Sequence, residues 1–246
     1  MQIEYHKWYS PNLRQEMEIK VYGWDGKPVL VFPAQEGRFY DFENFGMIEA
    51  IADFIEAGKV KVFTVDSIDS QSWANWHVHP ADRASRHEDY DRYIIEEVAP
   101  FIRQMCGNTA KGILTTGCSM GGYHAANFFF RHPDLFDALI CLSGLFQLGM
   151  FVGDYMDETI YYNSPLVYLP NLEDPWYLER YRQSQIIICC GQGAWEDAMQ
   201  ADARAMKAIL DAKGIPAWVD FWGYDVNHDW PWWRRQLPYF LGRMNL

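Results

Sequence analysis

Five short runs that are apolar on both faces constrain this chain more than any other feature: Val29-Leu30-Val31-Phe32, Val60-Lys61-Val62-Phe63-Thr64-Val65, Gly112-Ile113-Leu114-Thr115-Thr116, Leu139-Ile140-Cys141-Leu142 and Gln185-Ile186-Ile187-Ile188-Cys189-Cys190. A strand with one face in water alternates polar and apolar residues. Strands without a polar face belong in the middle of a mostly parallel sheet, covered by helices above and below. The intervening segments supply such helices. Met47, Ile51, Phe54 and Ile55 fall at helical spacing before Gly58. Ser85-Arg86-His87-Glu88 has the form of a capping box and predicts a helix that carries Tyr90, Tyr93, Ile94 and Val98 inward and is kinked or ended at Pro100. From Asp197 to Lys213, Met199, Ala203, Met206 and Leu210 form one stripe, closed by Gly214 and Pro216.

The first forty residues follow a different rule. Gln15 to Tyr22 alternates, with Met17, Ile19 and Val21 on one face and Glu16, Glu18 and Lys20 on the other. That is a half-buried strand, expected to pair antiparallel with Ile3 to Tyr9 across Ser10-Pro11-Asn12. The expected class is therefore α/β: a mostly parallel central sheet with an antiparallel N-terminal hairpin and helices on both faces. No repeat, low-complexity tract or Pro/Ser linker divides it, so one domain over 1–246 is expected. Residues 144–182, where Gly, Pro, Tyr and acidic residues mix without periodicity, are a candidate cap insertion.

Charge and cysteine usage narrow the function classes. Lys plus Arg number 21 against 33 Asp plus Glu, a formal charge of 21 − 33 = −12. Without a basic run the chain lacks the means to neutralise phosphates, which excludes nucleic acid as a partner, and an anionic membrane surface would repel it. At 49% hydrophobic and 17% aromatic residues it carries too much apolar surface for a solvated coil. Cys106, Cys118, Cys141, Cys189 and Cys190 lack C-x-x-C spacing and are odd in number, so they read as reduced thiols without a disulfide framework or zinc site. Met1 to Lys7 shows neither a basic nor an apolar region of the secretory kind, and the longest uncharged stretch, Gly112 to Phe130, is too polar to span a bilayer. The expected location is cytoplasmic.

Gly117-Cys118-Ser119-Met120-Gly121-Gly122 contains G-x-S-x-G directly after a buried strand and directly before the helix-compatible run Tyr123 to Arg131. At such a corner a serine sits on a strained turn with its hydroxyl above the sheet, and the flanking glycines avoid collisions that a Cβ would cause. The Met120 N–H falls at a helix amino terminus, where developing negative charge is favoured. A serine hydroxyl needs a base, and the base needs a carboxylate to fix its tautomer. On this kind of sheet the order is Ser, acid, His. Only His124, His132 and His228 follow Ser119; the first two fall within the helix and at its end, where surface or capping roles are expected. His228 lies just beyond the β-like run Ala217 to Trp222, where the base is wanted. For the acid, Glu196 and Asp197 both follow the strand ending at Cys190, with Asp220 and Asp225 as weaker rivals.

These residues resemble the putative-esterase branch of the α/β-hydrolases, which includes esterase D (S-formylglutathione hydrolase), feruloyl esterase modules and mycolyltransferases. The resemblance rests on Gly117-Cys118-Ser119-Met120-Gly121-Gly122, on His228-Asp229-Trp230-Pro231-Trp232-Trp233, similar to that family's H-x-W-x-x-W, and on strand and helix order across nearly the whole chain. It implies the α/β-hydrolase fold, Ser119 as nucleophile and His228 as base. The family's Q-G-x-x-D falls on Gln192-Gly193-Ala194-Trp195-Glu196, which implies Glu196 as the acid, with Glu in place of Asp. It further implies a second oxyanion donor in the loop Phe32-Pro33-Ala34-Gln35-Glu36-Gly37, at the Gln35 N–H, although Ala34 stands where the family has glycine. The implied activity is hydrolysis of a small-molecule carboxylic ester through an acyl-enzyme, with no cofactor. Acyl transfer, thioester hydrolysis or ligand binding without catalysis are the alternatives, and a homo-oligomer is left open. Trp222, Trp230, Trp232 and Trp233, with Trp73 and Trp76, either line a pocket or pack; Trp76-His77-Val78-His79 lacks a third ligand at metal spacing.

Overall fold

The computed structural model describes residues 1–107 and 112–246. Its eight strands are β1 (Ile3–Ser10), β2 (Gln15–Tyr22), β3 (Lys27–Phe32), β4 (Val60–Val65), β5 (Ile113–Cys118), β6 (Phe136–Leu142), β7 (Gln185–Cys190) and β8 (Trp218–Phe221). They form one sheet in the order β1-β2-β4-β3-β5-β6-β7-β8. β1 runs antiparallel to β2, and β2 to β4; every later pairing is parallel. All five doubly apolar runs lie in the parallel part, and alternate residues divide between two cores. Leu30, Phe32, Leu139, Cys141, Ile186 and Ile188 join one, while Val29, Val31, Ile140, Leu142, Ile187 and Cys189 join the other. That division is why neither face of these strands tolerates a polar stripe. In β2, by contrast, Met17, Ile19 and Val21 are buried while their neighbours in the strand's first half are not, as its alternation requires.

Parallel register aligns the carboxyl ends. Phe32 faces Gly117, Cys118 faces Leu142, Leu142 faces Cys189, and Cys190 faces Phe221. The loops that follow β3, β5, β6, β7 and β8 therefore emerge side by side along one sheet edge. The order reverses direction at β3, which lies between β4 and β5. Ligands of open α/β sheets collect at such a switch point.

The helices differ from expectation in three places. The Ser85 capping box is not a helix start: the helix Pro80–Tyr93 begins a turn and a half earlier, with the His79 ring accepting from the Ala81 N–H and Pro80 in the first turn. Proline costs nothing there because its missing N–H would have had no partner. Nor does Pro100 end the helix. A π-helical stretch, Ile94–Val98, precedes it and the helix resumes as Ala99–Met105. The expected helix from Met47 is instead broken into Met47–Ala50 and Ala52–Glu56. Residues 144–182 hold the short helices Gly149–Val152, Glu158–Tyr162 and Pro165–Tyr168 and all but the last residue of Pro175–Gln183. The first two bury Leu148, Phe151, Val152 and Ile160 with Trp73, Met120 and Tyr123 in a third apolar cluster. Among the described residues no helix is long and apolar enough to cross a membrane.

Candidate active site

Ser119 follows β5 at φ 58° and ψ −121°, before the helix Met120–Arg131. A non-glycine residue in that region costs of order 1–3 kcal/mol and persists only where its surroundings hold it. Here the Ser119 N–H donates to the Leu142 carbonyl at 2.9 Å. The flanking glycines are sterically required: a Cβ on Gly117 would lie 2.4 Å from the backbone of Gly121, and one on Gly121 would lie 2.3 Å from the Phe32 carbonyl oxygen. The helix amino terminus thus packs directly on the end of β3, which brings the β3 loop beside Ser119.

His228 reaches the same edge from the loop after β8. Its Nε2 lies 2.9 Å from Ser119 Oγ. The two loops that frame it are tied together: Gly193 N–H donates to the Val226 carbonyl at 2.9 Å, Ala194 N–H to Asn227 Oδ1 at 2.8 Å, and His228 N–H to the Ala194 carbonyl at 3.0 Å. Glu196, from the loop after β7, is fully buried. Its Oε2 lies 3.6 Å from His228 Nδ1. That separation is longer than a hydrogen bond. Asp197, one residue on, is exposed at the start of the following helix, and Asp220 accepts from Trp222 Nε1 at 3.1 Å. Glu196 is the carboxylate brought to the imidazole.

Two further residues hold it. Ser143, immediately after β6, donates from Oγ to Glu196 Oε1 at 2.6 Å and accepts from Trp233 Nε1 at 3.0 Å. Ser143 is itself at φ 49°, a second strained residue on this edge. The Trp233 ring also meets His228 edge-on, with centroids 5.0 Å apart at 87°. One tryptophan of the His228-to-Trp233 motif therefore contacts both the imidazole and the serine that positions the carboxylate. Sequence reasoning missed Ser143. The signal was its place directly after a buried strand, the same place Ser119 occupies.

Gln35, Ser119 and Met120 line one pocket of about 50 Å³ with Tyr123, Leu145, Met150, Phe151 and Met199. No tryptophan lines it. Trp73 is buried against His87, Trp76 stacks on Phe151, Trp230 stacks on Phe45 and Trp222 packs on Tyr239. These rings pack. Leu145 and Met150 of the residue 144–182 segment also border a larger neighbouring cavity of about 430 Å³.

The expectation of a surface or capping role fails for His124. It is buried, with Nε2 2.8 Å from Asp69 Oδ1. The helical position predicted exposure, but this helix lies against the sheet with nearly every residue covered. His132 does cap the helix, and pairs with Asp91 at 2.8 Å. Cys118 is buried and burial pushes its thiol well up, so it offers no thiolate beside Ser119.

A family model described as "Putative esterase" matches residues 10–244. Comparison with curated proteins finds no match. Among solved structures, a ferulic acid esterase superposes with a TM-score of 0.76 at 16% identity, covering 98% of this chain and 98% of that one. The S-formylglutathione hydrolase FrmB of Staphylococcus aureus gives 0.71 at 17%, covering 98% and 96%. FphF, a fluorophosphonate-binding serine hydrolase of the same organism, gives 0.69 at 18%, covering 98% and 97%. At these identities the structural likeness carries the α/β-hydrolase fold and no more.

Proposed function

The chain belongs to the "Putative esterase" family, and from that premise we propose that it hydrolyses carboxylic esters through an acyl-enzyme on Ser119. The observation that carries the reading is the 2.9 Å approach of His228 Nε2 to a serine hydroxyl on a strained strand-to-helix turn. His228 takes the Ser119 proton as Oγ attacks the ester carbonyl, and Glu196 stabilises the imidazolium through Nδ1–H. The tetrahedral oxyanion sits against the N–H groups of Met120 and Gln35. Met120 is the first helical residue, so its N–H has no acceptor within the helix and points with the helix dipole. Each such donor is worth about 3–4 kcal/mol of barrier in related chemistry. Collapse returns the proton from His228 to the leaving alcohol. A water, deprotonated by His228, then attacks the acyl carbonyl, and Ser119 leaves with the proton.

The pocket beside Ser119 favours a short acyl group, because a water molecule needs roughly 10–15 Å³ of such space and about 50 Å³ holds only a few. Charge bears on the rest of the substrate. The loops 33–37, 191–197 and 223–229 carry Glu36, Asp197, Asp225 and Asp229 on their exposed positions and no Lys or Arg. A neutral or cationic ester is favoured over an anionic one. The test is turnover of short p-nitrophenyl esters and labelling by a fluorophosphonate, in wild type and in Ser119→Ala. The variant is expected to lose both, by several orders of magnitude in turnover. Wild-type turnover in Ser119→Ala would overturn the reading. Product analysis in the presence of an alcohol separates hydrolysis from acyl transfer, which would use the same residues.

A further inference from the structure

One buried Asp–His pair has no part in that mechanism. Asp69 and His124 are each 1% exposed. Asp69 comes from the loop after β4, and His124 from the helix that begins at Met120. The pair joins them at 2.8 Å, across 55 residues of sequence. Removing two ionisable groups from water costs several kcal/mol per ion unless each gains compensating contacts. A purely structural helix-to-loop contact could be made by two apolar side chains at less cost.

Among the described residues the Asp69 carboxylate makes one more hydrogen bond, and it is in the β3 loop. Its Oδ2 accepts from the Glu36 N–H at 3.3 Å. Ala34 to Gly37 form a turn closed by the Gly37 N–H donating to the Ala34 carbonyl at 2.8 Å. Glu36 occupies the third place of that turn at φ 55°. A positive φ there is the type II geometry, which ordinarily calls for glycine or asparagine, and glutamate adopts it only under constraint. The central peptide of such a turn can flip, and a carboxylate that accepts its N–H opposes the flip. Gln35, whose own N–H is the proposed oxyanion donor, is the other central residue of this turn.

We propose that Asp69, held by His124, is a positioning residue that fixes the oxyanion loop against the nucleophile helix. One carboxylate oxygen grips the helix five residues after Ser119, and the other grips the turn one residue after Gln35. The distance between the attacking hydroxyl and the Gln35 N–H is thereby set by a rigid bridge of two side chains. Neither residue touches substrate. His124 Nδ1 has no hydrogen-bond partner among the described residues.

The inference rests on the esterase reading, and the two fail in different ways. Three variants separate them: Ser119→Ala, Asp69→Asn, and Asp69→Ala with His124→Phe, the last removing both partners so that no buried charge is orphaned. Fold is checked by near-UV circular dichroism. A graded fall in kcat is expected, about threefold to tenfold for Asp69→Asn and about tenfold to a hundredfold for the double variant, below the full loss of an oxyanion donor. KM should stay within about threefold, since the hole acts on the transition state. A trifluoromethyl ketone, which puts a charged oxygen in the hole, should lose affinity by the same factors as kcat. If Ser119→Ala is inactive while both Asp69 variants turn over like wild type, or lose only KM, the positioning role is refuted and the esterase reading stands. If Ser119→Ala retains turnover, the esterase reading and the inference fall together. Should the double variant not fold, Asp69→Asn decides alone: a kcat at least threefold lower supports the role, and any smaller fall ends it.

Discussion

Replacing Ser143 with alanine isolates how the buried carboxylate is held. Ser143 Oγ donates to Glu196 Oε1 at 2.6 Å and accepts from Trp233 Nε1 at 3.0 Å. Loss of a hydrogen bond to a charged group costs about 1.5–3 kcal/mol, and a buried indole N–H left without an acceptor adds about 1 kcal/mol or more. Alanine at φ 49° is no more strained than serine, so the backbone contributes nothing to the difference. The expected destabilisation is about 3–4 kcal/mol, which in a domain of this size lowers Tm by on the order of 10 °C. Catalysis should suffer separately. With Oε1 released, the carboxylate no longer presents Oε2 to His228 Nδ1, and kcat is expected to fall about tenfold to a hundredfold at little change in KM, short of the roughly 10⁴-fold loss seen when a triad carboxylate is neutralised. Urea unfolding gives the stability, and short-ester kinetics at a temperature where both proteins are folded gives the second effect. Trp233→Phe is the control, since it keeps the Ser143–Glu196 bond and should cost far less kcat. A Ser143→Ala protein within about 1 kcal/mol and twofold in kcat of wild type would refute the reasoning. So would a rise in kcat, which would mean that Ser143 competes with His228 for the carboxylate.

Glu196→Gln should lower kcat by about three to four orders of magnitude while exposed Asp197→Asn stays within twofold, measured on the same ester; the reverse pattern would move the acid by one residue. Native protein should expose at most one thiol to Ellman's reagent, Cys106, which is half-buried, and all five after unfolding, because Cys118, Cys141, Cys189 and Cys190 are buried and burial raises their thiols, that of Cys190 to about 12. Burial, with His124 and Arg131 nearby, holds the His87 imidazole well below its ordinary 6.5. The unfolded chain therefore binds a proton below about pH 6.5 that the folded chain refuses, so this contribution to stability is complete above that pH and is lost as pH falls toward the depressed value. Urea midpoints between pH 7 and 5 should fall in wild type and flatten in His87→Gln. Asp66 and Asp202, whose carboxyls burial pushes up, act in the opposite sense in the carboxylate range.

The parts of this molecule that were legible in the sequence share a property: each is enforced locally and repeatedly. A strand covered on both faces must be apolar at every position, so β3, β4, β5, β6 and β7 declare themselves, and β2 declares its single wet face. Ser119 is legible because the elbow needs glycines at fixed offsets, where Cβ atoms would strike backbone. His228 is legible through chain order and its position after the last strand. What failed to show is set by contacts between distant residues. The helix start at His79 and Pro80 is the exception, since its cap is local and proline in the first turn is itself a start signal. Trp73, Trp76, Trp222 and Trp230 are indistinguishable by sequence from pocket-lining rings, and only packing sorts them.

The same distinction explains why the supports of the site were hidden while its proposed nucleophile and base were not. Parallel register delivers Gln35, Ser119, Ser143, Glu196 and His228 to one edge from five different strands. Any residue just past a strand end reaches that edge, so position alone does not say which of them act and which hold. Chemistry singles out Ser119 and His228, because few residue types can serve as nucleophile and base. A positioning residue needs only a donor or acceptor of the right length, a requirement many residues meet. Ser143 bonds Glu196 across 53 residues and Asp69 bonds His124 across 55, and no periodicity links such partners. What they share is cost: Ser143 and Glu36 sit at positive φ, and Asp69 and Glu196 are buried carboxylates. At this edge, positive φ and buried carboxylates coincide at the residues proposed to hold Glu196 and the β3 loop in place.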